Sequence, residues 1–272
     1  MNNKFLLVAL FAAWCLGFAS CDKDKGNEPD NPTQGEQTGQ SDSTEGEEDI
    51  SKFETSISGT ENGFDYVDLG LPSGLKWATC NIGADSPEEY GYYYAWGETT
   101  PKTIAYNWNT YKWATATYHT EYLGDKWALE TLTKYNTSSD YGTVDNKTVL
   151  ELADDAARVN WGGAWRMPTD AEWTELCERC TWTWINFNGI NGYEVKSNIN
   201  GYTIFLPGAG NYDYNGLGGA GDIGFYWSSS LNTDYPYDAL DVYFSDSGII
   251  HNMLGRFDYR CCGRSVRGVF SH

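Results

Sequence analysis

The sequence predicts an α+β domain built mostly from antiparallel strands. Three observations carry that reading: alternating apolar runs broken by hairpin turns, only two segments with helical spacing behind a capping signal, and long connecting stretches rich in glycine and aromatic residues. The chain has 30 Gly, 12 Trp, 20 Tyr and 11 Phe, a composition that favours turns and broad aromatic packing over long helices.

The domain does not begin at the N-terminus. Residues 1–20 read as a secretory signal, with Lys4 ahead of an apolar run from Phe5 to Phe18 that is too short to span a bilayer stably. The string F-A-S-C (18–21) matches a bacterial lipobox, so Cys21 is the expected lipidation site and mature N-terminus. An acyl chain there would anchor the protein to a membrane at roughly 0.8 kcal/mol per buried methylene. Residues 21–62 follow as an acidic tether, in which 22–62 hold twelve Asp and Glu against three Lys and only Ile50, Phe53 and Ile57 as large apolar side chains. A segment so poor in apolar surface cannot offset its chain entropy and is expected to be disordered.

The net charge is −20; taking away the tether's −9 and the +1 of Lys4 leaves −12 on residues 63–272. Nucleic acid is excluded as a partner on that charge, because cationic side chains supply most of such affinity, and contact with a membrane is expected only through the N-terminal lipid.

Within 63–272 the elements follow one another clearly in places. Y-V-D-L-G-L-P-S-G-L-K-W-A-T-C (66–80) predicts two strands about a tight turn at Pro72-Ser73-Gly74. Residues 99–147 have no clear period and read as a long excursion with one short helix near 126–133. T-V-L-E (148–151) has the form of a capping box, with Val149, Leu152, Ala153 and Ala156 spaced for a helix. W-G-G-A-W-R-M-P-T-D-A-E-W-T-E-L (161–176) predicts a tight turn at Gly162-Gly163 and packed rings at Trp161, Trp165 and Trp173. A second helix starts there at Pro168-Thr169, with Asp170 and Glu172 favoured in its first turn, and Arg166 is expected to pair with a buried acid or carbonyl. T-W-T-W (181–184) places two tryptophans on one strand face, Asn200-Gly201 marks a hairpin within 192–206, another hairpin turns at 245–248, and 265–269 closes the domain.

Several motifs are weaker than they look. Cys177 and Cys180 form a C-x-x-C two turns into a helix, on its apolar face, so they read as buried thiols or one structural disulfide in preference to a zinc or redox site. G-L-G-G-A-G (216–221) satisfies a dinucleotide fingerprint but precedes a strand, and reads as a flexible loop. His119, His251 and His272 have no ligand spacing, and no nucleophile motif accompanies them, so no catalytic residue and no metal ligand is assigned. Pairing among Cys80, Cys177, Cys180, Cys261 and Cys262 is left open.

The candidate ligand-binding residues lie in the less patterned loops. Trp108, Tyr111 and Trp113 sit in the polar stretch Y-N-W-N-T-Y-K-W (106–113), where rings could stack on sugar faces or anchor a partner. Tyr212, Asp213, Tyr214, Asn215 and Asp222 mix rings with polar acceptors in and around the glycine-rich loop. Ca²⁺ is the one cofactor this segment suggests, and two carboxylates would need backbone oxygens to hold it.

Taken together, D-L-G-L-P-S-G-L-K-W-A-T-C-N-I-G-A (68–84), Y-A-W-G-E-T (94–99), D-D-A-A-R-V-N-W-G-G-A-W-R-M-P-T-D-A-E-W (154–173), I-F-L-P-G-A-G (204–210), F-Y-W-S-S-S (225–230) and G-R-S-V-R (263–267) resemble the Fibrobacter succinogenes major paralogous domain family. The resemblance spans 66–269 and departs at V-R-G-V, where the family usually has V-R-P-V. It implies a C-type-lectin-like fold, distantly similar to formylglycine-generating enzymes, on a Bacteroidetes surface lipoprotein. The copper-binding cysteine pair of those enzymes is not recognisable here, because Cys261 and Cys262 are adjacent, and the calcium triplets of sugar-binding C-type lectins are absent. The expectation is a lipid-anchored outer-membrane protein, surface-exposed, whose domain is a non-catalytic adhesion module for a glycan or a surface protein. A diverged enzyme on the formylglycine-enzyme scaffold and a structural or fimbria-associated component are the alternatives.

Overall fold

The computed structural model describes residues 55–122, 125–251 and 259–271, and for 116–122, 125–130, 250 and 251 the backbone alone. The signal segment, Cys21 and the tether as far as residue 54 lie outside the described residues. In chain order the strands and helices are β1 (Gly59–Glu61), β2 (Phe64–Asp68), β3 (Lys76–Asn81), β4 (Ala114–Tyr122), β5 (Asp125–Leu132), α1 (Ala156–Trp161), α2 (Asp170–Arg179), β6 (Cys180–Phe187), β7 (Ile190–Ser197), β8 (Thr203–Pro207), β9 (Asn211–Asp213), β10 (Gly216–Gly218), β11 (Ile223–Leu231), β12 (Ala239–Ser245), β13 (Gly248–His251) and β14 (Arg267–Phe270).

Every pairing between these strands is antiparallel. They form a four-stranded sheet β1-β2-β3-β14, two three-stranded sheets β6-β7-β8 and β11-β12-β13, and two-stranded ribbons β4-β5 and β9-β10. With two helices this is a strand-rich α+β fold, as the hairpin signals predict. The turns at 72–74, 200–201 and 245–248 all fall between paired strands. The last strand starts two residues later than expected, because Ser265 bridges Tyr226 before β14 begins.

The tether ends earlier than its composition suggests. Residues 55–62 belong to the fold, with β1 paired to β2 and Glu61 taking the Ala164 N–H at 2.9 Å. Local composition does not reveal that a polar strand has a partner.

Helix α2 forms where the sequence places it. The Thr169 side chain accepts from the Glu172 N–H, and the Glu172 carboxylate takes the Thr169 N–H at 2.7 Å. Arg166 clamps the same carboxylate with two bonds of 2.7 and 2.6 Å. Burial alone would raise the pKa of Glu172, but Arg166 and the Thr169 N–H outweigh it and hold the group below its ordinary range. Trp173 and Leu176 then face inward, Trp173 against Trp77 with ring centroids 4.9 Å apart. Gly162 and Gly163 make the preceding turn at φ 66° and 57°, a backbone conformation that glycine adopts without strain.

Three other expectations are corrected. Thr148 does not cap a helix: Leu231 N–H donates to Thr148 O at 2.8 Å and Leu150 N–H to Ser229 O at 2.9 Å, which holds that segment extended beside β11. The first α-helix starts at Ala156, capped by Asp155, whose two oxygens take the N–H groups of Arg158 and Met167 at 2.9 and 2.8 Å. Residues 126–133 are not helical, since most of them form β5, hydrogen-bonded to β4. The glycine string 216–221 is not a free loop, because its first three residues pair with β9.

Two large clusters fill most of the interior, beside a smaller one of Ala95, Tyr106, Tyr111 and Cys261. One gathers Trp77, Trp173, Leu176, Tyr226 and Phe244, with Trp182 and Trp184 of β6 packed against it; the other gathers Trp96, Trp161, Trp165, Trp227 and Phe270. Arg267 ties them together. Fully buried, it donates to the carbonyls of Ala78, Thr79 and Phe205 and to Asn81 Oδ1 at 2.8–3.0 Å, so β3, β8 and β14 share one set of hydrogen bonds. That network fixes the chain just after residue 264, where the candidate site begins.

Candidate functional site

The ribbon β9-β10 sets one wall of the site. Side chains alternate along a strand, so Asn211 and Asp213 face a cavity of about 680 Å³ and Tyr212 does not. The Tyr212 ring packs instead on Tyr93 and Tyr106, with centroids 5.6 and 5.2 Å away. Its backbone exchanges two hydrogen bonds with Gly263, at 2.8 and 2.7 Å, which bolts the ribbon to the 259–264 segment. A side chain at 263 could not fit, since a Cβ there would lie 2.7 Å from the Tyr106 ring. Asp213 Oδ1 accepts the Asn215 N–H at 2.7 Å and so shapes the turn that projects Tyr214 over the mouth.

A second wall comes from residues 106–108. Asn107 caps a short 3₁₀ turn, Trp108–Thr110, and Tyr106 donates its hydroxyl to Tyr93 O while accepting the Lys102 N–H at 3.0 Å. Burial raises the Tyr106 pKa, so the phenol stays neutral and serves as a wall. Trp108 stands edge-on to Tyr237 at 5.3 Å and to Tyr259 at 5.8 Å. Trp108 is partly buried and lines the cavity together with Tyr259.

The floor is Arg264, only 2% exposed. Its guanidinium pairs with Asp241, itself buried, and lies 4.9 Å from the Phe225 ring and 4.1 Å from the Trp227 ring. Phe225 and Tyr243, opposite each other on β11 and β12 with centroids 4.9 Å apart, line the remaining side, and Cys261 and Cys262 complete it.

Chemically the site is an open aromatic box with a few polar arms. Rings of Tyr106, Trp108, Tyr214, Phe225, Tyr243 and Tyr259 supply flat apolar faces, and Asn107, Asn211 and Asp213 supply hydrogen-bonding groups. Among the described lining residues Arg264 is the one cation, and it is paired with Asp241.

Two loops distant in sequence therefore meet in one place, and of the candidate residues Trp108, Asp213 and Tyr214 line the cavity. Tyr111 does not: it is buried behind Trp108 and donates its hydroxyl to Trp96 O at 2.7 Å. Trp113 is also corrected to a packing role, its indole N–H on Gly97 O at 2.9 Å and Lys112 Nζ 4.2 Å from its ring. Asn215 sits exposed at the ribbon turn and Asp222 is exposed, and neither lines the cavity. Among the described residues no group of three or more His, Cys, Asp and Glu is placed to hold a metal ion.

Sequence reading missed Tyr106, Asn107, Asn211, Phe225, Tyr243, Tyr259 and Arg264. A signal was present for two of them: Phe225 alternates with the buried Gly224 and Tyr226, and Tyr243 alternates with the buried Val242 and Phe244. Cys177 and Cys180 are thiols in this structure, and burial pushes both up to about 12, which leaves little thiolate at neutral pH.

No family model, curated protein or solved structure matches the chain.

Proposed function

We propose that the chain is a non-catalytic binding module whose aromatic cavity holds a glycan. The observation that carries this reading is the cavity between the 106–108 and 211–214 segments, where flat rings and amide and carboxylate arms converge on one open volume of about 680 Å³. Sugars present apolar faces ringed by hydroxyls, so ring stacking with a few oriented polar groups is the matching recognition chemistry. The resemblance of 66–269 to the Fibrobacter succinogenes major paralogous domain supports a C-type-lectin-like architecture and a place on an envelope lipoprotein anchored through Cys21.

The test is a broad glycan array probed with the full chain, followed by titration calorimetry on any sugar retained. Trp108→Ala is expected to weaken that binding about tenfold or more, as loss of a central aromatic contact does. An array without a single reproducible hit would remove the reading.

A second reading has one observation in its favour. Cys261 and Cys262 both line the cavity, which would give a diverged enzyme on a formylglycine-enzyme-like scaffold thiols at this site, although their adjacency departs from that family's copper-binding pair. Copper or zinc retained by the purified chain, and lost on replacing both cysteines with serine, would support it.

A further inference from the structure

We propose that the cavity selects an amino sugar in its protonated, free-amine form over the neutral N-acetylated form, with Asp213 as the residue that sets the preference. The inference rests on the glycan reading above and adds the charge of the ligand.

Three observations converge on it. Among the described residues that line the cavity, two carry formal charge, Asp213 on the wall and Arg264 in the floor. Arg264 is neutralised by its buried pair with Asp241. Asp213, by contrast, spends one oxygen on a backbone N–H within its own turn, at 2.7 Å. A bond from a neutral donor of that kind leaves the negative charge in place.

The surrounding rings add in the same direction. Six rings line this volume, and a cation that meets a ring on its face is attracted by the negative part of the ring quadrupole. The −12 carried by residues 63–272 reinforces that sign at longer range. An ammonium on the sugar could meet Asp213 in a charge-assisted hydrogen bond while the sugar faces stack on the rings. The acetylated nitrogen offers only a neutral N–H to the same carboxylate.

The experiment compares three probes by calorimetry on the full chain: a β-1,4-linked glucosamine oligomer below its amine pKa, its fully N-acetylated counterpart, and an oligogalacturonate of similar length. The free-amine oligomer is expected to bind about five- to tenfold more tightly than the acetylated one, the difference between a charged and a neutral hydrogen bond. The preference should shrink as salt is raised, and the oligogalacturonate should not bind measurably. Asp213→Asn keeps an acceptor for the Asn215 N–H and removes only the charge, so it should bring the first two affinities together without changing the melting temperature. Equal affinities in the wild type, or a preference that survives Asp213→Asn, would overturn the charge selection while leaving glycan binding in place. Binding of none of the three, alongside an empty array, would remove both.

Discussion

The stretch 161–176 and the wall of the cavity both bring together tryptophan, arginine and carboxylate, and they use them oppositely. In the first, each group is closed off by the protein: Trp165 is fully buried with its indole N–H on Glu61 O, and Arg166 is spent on Glu172. In the second, the arginine is closed off by Asp241, but rings and polar arms face an open volume. The difference teaches that dense aromatic and charged composition does not mark a site. What marks one is polar and ring surface that the fold holds in place and leaves uncovered.

Mutating the closed region should therefore cost stability, and mutating the open region should cost binding. The largest effect is expected from Trp165→Ala. Its ring packs edge-on to Trp161 at 5.0 Å and to Phe270 at 4.8 Å, so truncation opens a void in the second cluster. Chemical denaturation should show a loss of about 3–5 kcal/mol. A loss below about 1 kcal/mol would mean that the cluster collapses around the gap and that the two regions differ less than their burial implies.

A smaller effect, with a pH signature, is expected from Glu172→Gln. The Glu172 pKa is lowered in the folded chain, so its ionisation contributes stability above the unfolded carboxylate range, and that contribution is lost as pH falls through the lowered folded value. The wild type should thus exceed Glu172→Gln by about 1–2 kcal/mol at neutral pH, since a charged bidentate bond is replaced by a neutral one. The gap should close on acidification. Urea titrations at neutral and strongly acidic pH would check this, and a constant gap would place the effect in shape, not charge.

The same contrast explains what could be read from the chain. Thr169-Asp170-Ala171-Glu172 declared its helix because a capping box is satisfied within four residues, and the Arg166 expectation succeeded because its acid lies six positions on. Thr148-Val149-Leu150-Glu151 has the same local form and failed, because β11 claims its backbone from some eighty positions away. Residues 126–133 failed for the same reason, with β4 as the competing partner. Of the cavity, Trp108, Asp213 and Tyr214 could be nominated as rings or acids in polar loops. Tyr259 and Arg264 could not, since their place depends on the pairing of Gly263 with Tyr212. Tyr111 and Trp113 were nominated on the same grounds as Trp108 and turned inward. Loop polarity alone does not say which ring of a cluster the fold leaves uncovered.

Tyr214→Ala is the mildest change for the fold and the sharpest test of the contrast. Tyr214 is 73% exposed and sits in the two-residue turn of the β9-β10 ribbon, so almost nothing depends on its ring for packing. Removing it should change unfolding free energy by no more than about 0.5 kcal/mol. Yet the ring stands at the mouth of the cavity, held there by the Asp213 turn, where an incoming sugar would meet it. Affinity for a glycan retained by the wild type should fall about tenfold, with most of the change in the off-rate. Tyr214→Phe should keep the affinity if the ring acts by stacking, and lose it if the hydroxyl is what the ligand touches. Unchanged binding in Tyr214→Ala would move the contact surface deeper, onto Trp108 and Tyr243. A loss of stability comparable to that of Trp165→Ala would dissolve the distinction between the two regions altogether.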